Sequence, residues 1–67
     1  MPEKWTGDLV GLMHINRVTL AEMGREMGIS KNYVGMILNG VRTPPGAQER
    51  FEAAFERIVQ RKAEQSA

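Results

Sequence analysis

The sequence predicts an all-α fold, a compact bundle of four helices or five. Three observations point to it. Apolar residues recur at steps of three and four along four stretches, no segment alternates with the period of a strand, and glycine, serine and proline punctuate the stretches where helices stop and start. With 67 residues, the chain makes one small domain spanning 1–67, near the lower limit for burying a self-sufficient core. Hydrophobic residues make up 42%, and Trp5, Tyr33, Phe51 and Phe55 are the only aromatics, so the core should be modest and rich in methionine. Beginning at Met1 and carrying no tag, the chain is expected to be complete.

The first helix is expected to open near Thr6 to Asp8, whose side chains can cap it, and to run to about Asn16. Leu9, Leu12, Met13 and Val18 are expected to face the core from it, with Trp5 packing near its start. The next stretch, Thr19 to Gly40, reads TLAEMGREMGISKNYVGMILNG. Thr19 and Glu22 have the spacing of a capping box, in which each side chain satisfies an orphan amide. Leu20, Met23 and Met27 then share one helical face, which gives a helix over 20–27. Gly28 can take the left-handed conformation that closes that helix, and Ser30 can cap the next one. Tyr33, Val34, Ile37 and Leu38 carry the apolar stripe of a third helix over 31–38, which Gly40 stops. Two helices joined by so short a turn cross steeply, which is the geometry of a helix-turn-helix. Thr43-Pro44-Pro45-Gly46 then breaks the chain and opens a last helix over 46–61, with proline in its first turn. Its stripe is Phe51, Ala54, Phe55, Ile58 and Val59. Glu49, Glu52 and Glu56 toward its start and Arg61 and Lys62 at its end suit the helix dipole. The polar tail from Ala63 is expected to fray.

Thr19, Met23, Gly24, Gly28-Ile29-Ser30, Val34, Ile37 and Gly40, continuing into Val41-Arg42-Thr43-Pro44, form a combined signature of cap, turn and core spacing. It resembles the helix-turn-helix of the Cro/C1-type (XRE) family of phage and bacterial transcriptional regulators. In the family pattern Met23 stands where Leu is usual, and Gly24 where a small Ala lets the helices approach. Leu20 replaces a frequent Gln, Gly35 replaces a Ser or Thr, and the family's usual pair of short C-terminal helices is missing. The resemblance implies a lambda-repressor-like fold with motif 19–40 at its centre. It also implies binding of double-stranded DNA through the second helix of the motif, which enters the major groove.

Carried onto this sequence, the family's base contacts fall on Lys31, Asn32 and Met36, with Ser30 and Tyr33 near the DNA backbone. Lys can donate to guanine, Asn can pair with adenine, and Met can touch a thymine methyl. Asn39 and Arg42 follow the reading helix and are candidates for phosphate contacts, as is Arg17 at the end of the first helix. The net charge is only +1, but its distribution is uneven. Residues 29–43 hold Lys31 and Arg42 and no acid, as a surface facing phosphate requires. The expected function is therefore that of a small sequence-specific regulator, a repressor acting by occupancy. The alternative is a protein-interaction module on the same fold, an antirepressor or accessory protein with little DNA affinity. The weak net charge, Leu20 and Gly35 favour that alternative.

Other classes find no footing in these residues. His14 is the single histidine and no cysteine accompanies it, so no zinc site is expected. No nucleophile–base–acid arrangement emerges, hence no catalysis, cofactor or small-molecule ligand is expected. With no cysteine, no signal pattern and no apolar run near a membrane-spanning length, a cytoplasmic location is expected. Phe55, Ile58 and Val59, far along the last helix, are the candidate surface for a weak homodimer.

Overall fold

The computed structural model describes residues 3–66, and every regular element among them is helical. Helix α1 spans Lys4–Ile15, α2 Leu20–Met27, α3 Lys31–Leu38 and α4 Ala47–Ser66. There is no fifth helix among the described residues. Helix α2 packs on α3 and α4, and α1 packs on α3 and α4, so the motif is cradled between the two longer helices. Leu9 and Met13 from α1, Met23 from α2, Val34, Ile37 and Leu38 from α3, and Phe51, Ala54 and Ile58 from α4 meet in one core. Trp5 closes one end of it by meeting Phe51 edge to face, with ring centroids 5.8 Å apart.

Helix α1 starts earlier than its sequence predicts. Thr6 does not cap it: its hydroxyl donates to the Glu3 carbonyl at 2.6 Å, and the residue is only 3% exposed. Asp8 accepts from Lys4 Nζ at 2.8 Å, one turn back along the exposed surface. The helix ends at Asn16 with Arg17 in the left-handed region at φ 56°. The Val18 amide donates to the Met13 carbonyl at 2.8 Å and the Arg17 amide to that of His14 at 3.3 Å, which is the Schellman pattern. Met13 and Val18, both buried, supply the apolar contact that accompanies it.

Helix α2 opens with both halves of the capping box in place. The Glu22 amide donates to Thr19 Oγ1 at 3.1 Å, and the Thr19 amide donates to Glu22 Oε1 at 2.9 Å. It closes at Gly28 with φ 73°, and Ser30 caps α3 by accepting from the Tyr33 amide at 3.1 Å. Gly24 is where the chain is tightest. A β-carbon there would stand 2.5 Å from the Ile29 carbonyl oxygen and 3.2 Å from the Lys31 amide nitrogen. The backbone of the turn therefore lies directly on α2, closer than even an alanine permits.

Three further expectations are corrected. Leu12, 46% exposed, and Leu20, 39% exposed, lie outside the core because they fall on the flanks of their helices rather than on the buried stripe. Pro44 and Pro45 precede α4 in the connecting turn instead of entering its first turn. Helix α4 begins one residue later than expected and continues through the polar segment after Ala63 to Ser66. Arg61 and Lys62 are thus not at its end.

Three backbone substitutions test these contacts. Gly24→Ala should lower stability by about 1–3 kcal/mol through backbone overlap. Gly35→Ala, whose new methyl would meet only Leu20 Cδ1 at 3.8 Å, should raise stability by up to about 1 kcal/mol through helix propensity. Arg17→Gly should also stabilise, by a net gain below about 1 kcal/mol, because relief of the left-handed strain outweighs the added chain entropy. Thermal or urea unfolding of the three variants checks all the signs.

Candidate nucleic-acid interface

The capped turn decides which side of α3 meets solvent. Val34, Ile37 and Leu38 anchor the helix in the core, so the opposite side carries Asn32, Met36 and Asn39, spaced four and three residues apart. All three are exposed, as is Lys31 in the first turn. Among the expected base contacts, Asn32 and Met36 are thus brought onto one side of α3, and Lys31 lies exposed in the first turn beside it. The Ser30 hydroxyl is committed to its cap, and the Tyr33 ring is half-buried against the core. Gly40, with φ 80°, turns the chain after α3. The amides of Val41 and Arg42 then fold back onto the Met36 carbonyl at 2.9 and 3.3 Å, holding Arg42 beside the last turn of the helix.

Arg17 lies elsewhere. Its carbonyl accepts from Lys62 Nζ at 2.9 Å, at the α1–α2 corner and toward the far end of α4. Arg42 borders a cleft near the start of α4, together with Ala47 and Gln48. The rise of the helix between these two places is about 20 Å. The expected homodimer surface is also altered: Ile58 is 3% exposed and belongs to the core, while Phe55 and Val59 are half-buried beside it.

The electrostatics of the motif depend on α4. Glu26 of α2 accepts from Arg57 Nε and Arg61 Nη2, each at 2.7 Å. Glu22 pairs with Lys62 Nζ at 3.1 Å. Both carboxyls are held below the usual carboxylate range. For Glu22 the chief cause is the Thr19 amide, and for Glu26 the hydrogen bonds from Arg57 and then Arg61. The acids of α2 are thus neutralised from within the fold. Lys31 and Arg42 form no ion pair among the described residues.

Sequence reasoning missed a hollow on the flank of this strip. Val10 and His14 of α1, Leu20 of α2 and Gly35 and Asn39 of α3 border a recess of about 330 Å³. The absence of a side chain at Gly35 is the sequence signal that could have located it. No group of histidines, cysteines and carboxylates suited to a metal occurs among the described residues, and none of their helices is long and apolar enough to cross a membrane.

Compared with known proteins, the chain matches no family model, no curated protein and no solved structure.

The clamp on α2 carries a pH dependence with a definite sign. Carboxyls whose folded pKa is lowered stabilise the fold at neutral pH, and that contribution disappears as pH falls through the carboxylate range. The melting temperature should drop on acidification through this range. It should drop less steeply in Glu26→Gln, whose melting temperature at neutral pH should already be lower than that of the parent chain.

Proposed function

We propose that the chain binds double-stranded DNA sequence-specifically, as a small transcriptional regulator of the repressor type with no catalytic activity. The observation that carries this reading is the outer strip of α3. It is exposed, free of acid, and presented by a capped helix-turn-helix whose own carboxylates are already paired. In this reading α3 lies in the major groove, and Lys31, Asn32 and Met36 meet base edges. Arg42 and Asn39, which follow the reading helix, hold phosphate, while the Tyr33 amide of the first turn is already taken by the Ser30 cap. This is the arrangement implied by the resemblance of residues 19–44 to the XRE regulators. Action by occupancy in the cytoplasm belongs to the same proposal.

A weak homodimer is part of the reading where the DNA site is palindromic. Two copies on successive major grooves would stand about 34 Å apart. Linking their contacts through the DNA raises affinity beyond that of one domain with a charge of +1.

Lys31→Ala and Asn32→Ala should each cost about 1–3 kcal/mol on a duplex selected from a randomised pool, with relaxed preference at one position. Binding of the parent chain to random duplex should weaken steeply as salt rises. Equal losses on selected and random DNA would reassign the two residues to phosphate contact. Salt-independent or absent binding would favour a protein-interaction role.

A further inference from the structure

The flank of α1 that turns away from α3 carries a second surface, independent of the DNA reading. Helices α1 and α4 run side by side in the same direction. Trp5 meets Phe51 at one end, and Lys62 reaches the Arg17 carbonyl at the other. Between them lies a groove of about 440 Å³ with Trp5, Leu9 and Phe55 along its floor and Leu12 on its wall. Ile15, 75% exposed, continues the apolar line one turn beyond Leu12, and Val59 does so beyond Phe55. The line from Trp5 to Ile15 is about 15 Å long, which matches about three turns of a partner helix.

The rim of this groove is acidic. Asp8, Glu52 and Glu56 border it, and no basic side chain does. Asp8 is paired only with the exposed Lys4, Glu52 accepts from the neutral Gln48, and Glu56 has no ion pair among the described residues. A second copy seated here would set carboxylate rims against each other, and nucleic acid or an anionic lipid surface would be repelled. An apolar helix edge flanked by lysine or arginine satisfies both features at once. We propose that the α1–α4 groove docks a short, basic, amphipathic helix of a partner protein. The hollow bordered by Val10 and His14 lies on the opposite flank of α1, toward α3, so the partner helix leaves the α3 strip uncovered.

Trp5 is the only tryptophan and lies in the groove, so its fluorescence reports occupancy directly. The probe is a helical peptide of about twelve residues with leucines at i, i+3, i+4 and i+7 and lysines on both flanks. Its control has glutamates in place of the lysines. The lysine peptide should give a saturable 1:1 change in Trp5 emission, and the glutamate peptide none. Glu52→Lys combined with Glu56→Lys should weaken the lysine peptide by about tenfold or more and admit the glutamate peptide. Leu12→Gln should weaken both pairings. These positions are exposed, and unfolding curves establish that each variant is folded. Equal binding of the two peptides, indifference to the charge reversal, or no saturable change would overturn the proposal. Self-association of the parent chain that Leu12→Gln abolishes would also overturn it, by making a second copy the occupant.

Discussion

The outer strip of α3 rests on the contact between α2 and the turn that follows it. At Gly24 the backbone of Ile29 and Lys31 lies where a β-carbon would otherwise be. That approach sets how closely α3 crosses α2. The side chains buried from α3, Val34, Ile37 and Leu38, then fix its rotation. Once closeness and rotation are set, the solvent side of α3 has no freedom left, and Asn32, Met36 and Asn39 must face outward together. A helix of only eight residues could not hold such a presentation alone, because isolated helices of that length are marginal in water.

Helix α4 has two roles, carried by different side chains. Phe51, Ala54 and Ile58 supply the core beneath α1 and α2, while Arg57, Arg61 and Lys62 reach across to the carboxylates of α2. These cations therefore add nothing to a free positive field, and the small net charge of the chain understates how the surface is organised. Glu52 and Glu56, which form no ion pair among the described residues, border the α1–α4 groove, and the motif keeps an acid-free strip. The molecule is polarised without being strongly charged.

The local grammar of the motif was legible in the sequence because it is written in backbone capping. Thr19 with Glu22, Gly28 and Ser30 each have one conformational task, and the structure shows each performing it. The bounds of α2 and α3 follow directly. Expectations that depended on tertiary neighbours fared less well. Thr6 has the chemistry of a cap, yet it bonds back to Glu3 from inside the helix and is buried. Leu12 and Ile58 show how one stripe hides two environments, since periodicity marks a face but not which edge of it is covered. Arg61 and Lys62 looked like dipole partners because the end of α4 was placed too early, and their ion pairs with α2 span 35 to 40 residues of sequence. The closeness at Gly24 was visible only as a small residue at the right place. That the gap excludes even a methyl is a property of the folded backbone.

The central claim is that the outer strip of α3 is the surface that meets DNA. Amide chemical shifts of the labelled chain, followed during titration with a duplex selected from a randomised pool, test it most directly. The account predicts that the largest shifts fall on Lys31, Asn32, Met36, Asn39 and Arg42, that the α1–α4 groove stays silent, and that raised salt reverses the changes. Shifts concentrated at Leu12, Ile15 and Phe55, or none with stoichiometric duplex at low salt, would contradict it.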